Sequence, residues 1–151
     1  MSIKKCDQDK TVGLSTGNLV FVDAKIIGRH DVALPKRTFV GYAVDGREDI
    51  QKVTEVEGVD ETDEAELEAV AFAIRDLKDV LPEFTILCDN ESVVLEIQRG
   101  ETRRRSRRVL EEIQNEIKAS NSRIRVRLLS NPADKLLNRH VSELKQRTLP
   151  G

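Results

Sequence analysis

Residues 18–27, NLVFVDAKII, decide the fold. The run is apolar and β-branched almost throughout, as in a strand covered on both faces, and such strands lie inside sheets flanked by helices. Asp23 interrupts it. Burying a carboxylate without a partner costs on the order of several kcal/mol, so a buried acid needs pairing or a metal. Either Asp23 marks an edge or strand end facing water, or it is kept in the strand for a ligand. The second reading is preferred.

Working outward, residues 37–44 (RTFVGYAV) and 50–57 (IQKVTEVE) read as two further strands joined at Asp45-Gly46, a strong hairpin signal. Residues 28–36, holding Pro35, form a loop. The period then changes. Leu67, Val70, Ile74, Leu77 and Leu81 recur three and four apart, predicting a helix capped at Thr62 and stopped by Pro82. Residues 84–88 (FTILC) form a short apolar strand, 91–98 a short helix, and 103–118 a helix with Val109, Leu110, Ile113 and Ile117 inward. Residues 124–129 alternate as a fifth strand, and Asn131-Pro132 opens a last helix to about Arg147. The expected fold is α/β: a five-stranded mixed sheet flanked by helices, in the order β-β-β-α-β-α-α-β-α. It fills one domain, residues 18–151, after a polar leader at 1–17.

At 151 residues the chain can bury one ordinary core. With four Phe, one Tyr and no Trp, base stacking is a poor candidate for its main mode of action. The net charge of −2 conceals two poles. Residues 55–68 carry eight acids and no base, and residues 99–108 carry six Arg and one Glu, which suggests two jobs on one surface. Cys6 in the leader and Cys88 in a predicted buried strand make no disulfide framework, so a reducing, cytoplasmic setting is expected. No apolar stretch long enough for a membrane span and no signal peptide is visible, so no membrane partner is expected.

Three more acids stand out. At ~100° per residue, Glu66 falls in a row with Ala69, Ala73 and Leu77 beside the apolar stripe, which aims it at the sheet. Glu61, Glu64 and Glu68 have no such placement and read as solvent-facing charge. Asp89 follows FTILC at the carboxyl end of a strand, where open α/β sheets bind ligands, although Asp89 or Asn90 could equally cap the next helix. Asp134 lies in the first turn of the last helix, on the flank of the stripe Leu136, Leu137, His140, Val141 and Leu144, with Ser142 nearly opposite. Four acids from four elements could form a cage for divalent metal, and such metal usually serves phosphate chemistry.

These residues, in this order of elements, resemble ribonuclease H of the type I family over residues 18–148. Glu66 lies in TDEAELEAVAFAI, similar to the family's Thr-x3-Glu-Leu-x-Ala helix signature. Asp89 in TILCDNESVVLEI resembles the strand-Asp-Ser-x-x-Val segment, Asp134 in ADKLL the Ala-Asp-x-Leu-Ala motif, and Asp23 the first-strand aspartate. The chain departs from the pattern at Ala24, where the family has Gly, and at residues 129–132, which lack the family's loop His. His140 reads as a half-buried helix residue, and His30 is a remote substitute. A second register over residues 138–142 (NRHVS) would leave three acids instead of four.

The resemblance implies two-metal hydrolysis of the RNA strand of an RNA–DNA hybrid. Asp23 would bridge two Mg²⁺ or Mn²⁺ ions, Glu66 and Asp89 would complete one site and Asp134 the other. Two hard cations ~4 Å apart can activate water and stabilise the leaving oxygen. The resemblance also equates the arginine run with a basic substrate-binding protrusion. Cations opening a helix oppose its dipole, which invites a phosphate ligand. Arg99, Arg103, Arg104, Arg105, Arg107 and Arg108 are therefore candidate nucleic-acid contacts, with Asn90 and Thr62 as further candidates. The competing readings are a non-catalytic nucleic-acid-binding module on the same fold and a related nuclease acting on branched DNA. No protein partner is evident.

Overall fold

A computed structural model describes residues 18–28, 36–59, 61–101, 106–120 and 123–129. The leader with Cys6, His30, Arg103, Arg104, Arg105, and the expected last helix with Asp134, His140 and Ser142 lie outside these residues.

Strands β1 (Asn18–Ile27), β2 (Arg37–Val44) and β3 (Arg47–Val56) form an antiparallel meander. On the other side of β1, β4 (Phe84–Cys88) and β5 (Ile124–Leu128) add in parallel. The order β3-β2-β1-β4-β5 puts β1 in the centre of the sheet, with β3 and β5 at its edges among the described residues. Helices α1 (Thr62–Leu77), α2 (Glu91–Arg99) and α3 (Arg107–Ala119) complete the described elements. The fold is the mixed five-stranded α/β architecture expected.

Alternation along β1 explains its composition. Val20 and Val22 join Val40, Tyr42, Val44 and Ile86 beneath Leu67, Val70, Ile74 and Leu77 of α1. Phe21, on the opposite face, packs with Ala43, Leu87 and Leu129. Each such buried aliphatic or aromatic side chain contributes about 1.5–3 kcal/mol relative to exposure. Helices α1 and α3 are tied by Arg75–Glu112 at 2.7 Å and Lys78–Glu116 at 3.0 Å. The Gln114 side-chain amide of α3 donates to the Ile97 carbonyl of α2.

Several boundaries differ from expectation for identifiable reasons. Strand β3 begins at Arg47 instead of Ile50, because the two-residue turn carries pairing down to Val44–Arg47; Gly46 takes the left-handed φ of 76° there. Helix α1 ends at Leu77 rather than Leu81. The amides of Val80 and Leu81 both donate to the Leu77 carbonyl at 2.9 Å, so the chain turns, yet Leu81 still reaches the core. Thr62 is the first helical residue and not the cap: Glu61 holds that position, without a side-chain capping bond. Helix α2 runs one residue further than expected, to Arg99, before Gly100 ends it at φ 76°. The described part of the next helix starts at Arg107, after Ser106. Strand β5 ends at Leu128, but the Leu129 amide still donates to the Cys88 carbonyl at 2.9 Å.

Candidate metal centre

The central position of β1 excludes the edge reading of Asp23, which is half-buried and pairs across from Gly41 on β2. On its other side, the parallel ladder runs from Asn18–Phe84 to Phe21–Leu87. Asp23 lies two residues past the end of that ladder on β1, and Asp89 two residues past it on the β4 side.

Asp89 immediately follows Cys88, the last residue of β4, and is exposed, whereas Cys88 is fully buried. The competing role for Asp89 as a helix cap falls to Asn90. The Asn90 Oδ1 atom accepts from the Val93 amide at 3.1 Å, closing the first turn of α2. Its Nδ2 donates to Asp63 Oδ1 at 2.9 Å. One side chain thus caps α2 and ties the first turn of α1 to the end of β4. Asp63 and Glu64 also suit the positive end of the α1 dipole.

Glu66, one turn further along α1, is 6% exposed, in keeping with its small neighbours Ala69 and Ala73 letting the helix approach the sheet. One carboxylate oxygen of Glu66, one of Asp89 and the Cys88 Sγ lie within 4.8 Å of one another. Two of the four sequence-predicted acids are therefore brought together. Asp23 is outside that group at this distance, and Asp134 lies outside the described residues.

Cys88 was not singled out by sequence reasoning as a donor. The signal was its place: the final residue of a strand whose carboxyl end carries the candidate acid. Carboxylate oxygens suit Mg²⁺ and Mn²⁺, and sulfur suits softer ions. The two acids fit a divalent cation, with Asp23 next in line from the neighbouring strand.

The acids expected in solvent need correction. Glu64 is buried at 8% exposure, and Glu68 is half-buried. Both lie on the flank of α1 opposite Glu66, the side on which Arg75 meets Glu112 of α3. Burial pushes the Glu68 carboxyl above its ordinary range; Arg75, 3.8 Å away, opposes this, the Glu112 and Glu64 charges add to it, and Arg108 also opposes it. Arg108 thus sits in the field of acids on α1. Arg99, in the last turn of α2, and Arg107, in the first turn of α3, are exposed. Arg107 lines a groove shared with Glu101, Glu111 and Lys118, so the described part of the arginine run borders mixed charge.

No protein-family model matches the sequence, and no curated protein does. Solved structures do. The ribonuclease H domain of prototype foamy virus (PFV) is similar at a TM-score of 0.65 and 15% identity, covering 87% of this chain and 91% of that one. LC11 ribonuclease H1, solved with an RNA/DNA hybrid, gives 0.58 and 15%, covering 84% and 98%. Ribonuclease H1 of the archaeon Halobacterium salinarum gives 0.55 and 15%, covering 78% and 89%. At such identity the likeness is one of architecture, and it agrees with the observed strand order and helices: this chain has the ribonuclease H-like fold.

Proposed function

We propose that the chain is a metal-dependent endonuclease that hydrolyses the RNA strand of RNA–DNA hybrids. The observation that carries this reading is the convergence of Glu66 and Asp89 at the carboxyl end of the sheet, beside the strand that presents Asp23. Asp23, Glu66, Asp89 and Asp134 are the residues that would hold two Mg²⁺ or Mn²⁺ ions. When bound, such ions supply an activated water and neutralise charge on the leaving oxygen.

The chain's own part is positioning. Burial holds the Glu66 side chain in place, and the Asn90–Asp63 bond fixes α1 against the β4–α2 junction. Asp89 stands at the solvent side, where a phosphodiester could approach. Arg99, Arg103, Arg104, Arg105, Arg107 and Arg108 would grip backbone phosphates, with Asn90 near the reacting strand; binding would then weaken steeply with salt. A binding-only module on the same fold is the second reading, favoured by Asp23 lying outside the group formed by Glu66, Cys88 and Asp89.

The test uses the full chain with matched RNA–DNA hybrid, double-stranded RNA and branched DNA, in Mg²⁺ or Mn²⁺. Cleavage of the hybrid's RNA strand is expected, with Asp89→Asn lowering the rate at least about a hundredfold, the scale of losing a group that stabilises transition-state charge. Salt-sensitive binding without cleavage would establish the second reading, and preferential cleavage of branched DNA would replace both.

A further inference from the structure

We propose that Cys88 is a donor to the metal centre, and that Glu66, Cys88 and Asp89 together take a borderline or soft divalent ion such as Co²⁺, Zn²⁺ or Cd²⁺ in preference to Mg²⁺. The inference rests on the reading that this end of the sheet binds divalent metal, and it changes which metal is held most tightly.

The geometry comes first. Three donor atoms, from α1, from the last residue of β4 and from the residue after it, lie within 4.8 Å of one another. Ligands on one ion stand about 2.0–2.3 Å from it, so donors on a shared ion are at most ~4.4 Å apart. The three atoms reach a common ion by side-chain adjustments of under about 1 Å in that frame. Placement comes second. Cys88 is fully buried and Glu66 is 6% exposed, while Asp89 is open to water. An ion held there is enclosed on the protein side by sulfur and one carboxylate, and remains open on the Asp89 side for water or a phosphate oxygen. That matches the three-ligand, one-open-position pattern of catalytic zinc sites.

Donor chemistry decides the preference. A carboxylate pair alone favours hard ions held by oxygen. Adding a thiolate turns the choice toward ions of softer character, in an affinity order that rises from Mn²⁺ through Co²⁺ and leaves Mg²⁺ weakest. As the Sγ–metal bond forms, the Cys88 S–H bond breaks and its proton passes to solvent. The Asn90–Asp63 bond at 2.9 Å sets the distance between the helix that carries Glu66 and the strand that carries Cys88. An ion held by Cys88 would compete with Mg²⁺ for the same carboxylates, which makes the site sensitive to zinc-class metals.

The experiment is a Co²⁺ titration of the full chain carrying Cys6→Ser, so that Cys88 is the sole thiol. It is followed by the near-ultraviolet thiolate-to-cobalt charge-transfer band and by calorimetry, with Mg²⁺ titrated in parallel. Expected is a charge-transfer band saturating at the calorimetric stoichiometry, with Co²⁺ bound at least about tenfold more tightly than Mg²⁺. Cys88→Ser and Cys88→Ala, each checked by circular dichroism, abolish the band and reduce the Co²⁺ preference at least about tenfold. Glu66→Gln keeps the thiol and weakens Co²⁺ binding. Co²⁺ and Mg²⁺ binding at similar affinity without a charge-transfer band would overturn the role of Cys88 while leaving the carboxylate site intact. Binding of neither ion would overturn both.

Discussion

Replacing Asn90 by alanine removes two bonds with different purposes. The Oδ1 bond to the Val93 amide, at 3.1 Å, caps α2; losing a cap of this kind costs about 1 kcal/mol. The Nδ2 bond to Asp63, at 2.9 Å, is a hydrogen bond to a carboxylate between half-buried residues. Such bonds contribute ~1.5–3 kcal/mol when well buried, and water access here reduces that to about 1 kcal/mol. The expected loss for Asn90→Ala is therefore about 2 kcal/mol, or ~4–8 °C in Tm for a domain of this size. Urea unfolding followed by far-ultraviolet circular dichroism measures it, with an unchanged slope as the condition for reading the midpoint as stability.

Exchanging the partners separates the two bonds. Asn90→Asp keeps the acceptor for Val93 but sets a second carboxylate against Asp63. Combining it with Asp63→Asn restores one donor and one acceptor, with polarity reversed, and recovers about 1 kcal/mol relative to Asn90→Asp alone. Because this bond also spaces Glu66 from Asp89, Asn90→Ala weakens divalent-ion binding by about 10–100-fold, the usual scale for a residue that orients ligands. An alanine variant within about 0.5 kcal/mol of the parent, or an exchange that recovers nothing, would refute the reasoning.

Two further outcomes follow from single side chains. The chain's only tyrosine, Tyr42, is 5% exposed and donates from its hydroxyl to Asp76 Oδ2 at 2.8 Å. Tyr42→Phe therefore lowers stability by about 1–2 kcal/mol. Burial first, then the bond and the charge of Asp76, hold the phenol above the ordinary tyrosine range, so its stabilising contribution is full below that range and is lost as pH climbs from there through the raised value. Ultraviolet titration finding this tyrosine ionising as in a free peptide would contradict that. For Glu68 the carboxyl is also raised, chiefly by burial, so its protonated form is the one the fold favours. Its contribution is present below the ordinary glutamate range and lost as pH rises through the raised value. Glu68→Gln is accordingly more stable than the parent at neutral pH, and the difference shrinks on acidification; a less stable variant at neutral pH would show that the Arg75 contact outweighs burial.

Much of this architecture could be read from residues because burial on two faces leaves a plain mark. The run at 18–27 has no polar face to turn outward, and it occupies the centre of the sheet. The angular placement of Glu66 held because the small residues beside it reach the sheet, and the same arithmetic failed for Glu64. That arithmetic treated the sheet as the sole surface covering α1, whereas α3 covers the other flank, as the Arg75–Glu112 pair marks. The end of α1 was misread because Leu81 keeps the apolar spacing of the helix after the backbone has left it. Cys88 was read only as a core residue, which it is; that a core-facing sulfur could also stand within reach of Glu66 and Asp89 depends on how closely α1 approaches the end of β4. Spacing along a chain carries no information about that approach.

An edge of the sheet carries a consequence for how copies of this molecule behave toward one another. Strand β3 is ten residues long and is an edge of the sheet among the described residues, and a long edge strand offers its backbone to any other strand that can lie alongside. Here Arg47, Glu48, Asp49, Lys52 and Glu55 are exposed along it. A second copy docking in either direction would have to strip water from charges of both signs. That protection against templated aggregation is local to β3, and replacing Lys52 and Glu55 with valine would strip it from the middle and far part of the strand, leaving only the charges at Arg47, Glu48 and Asp49.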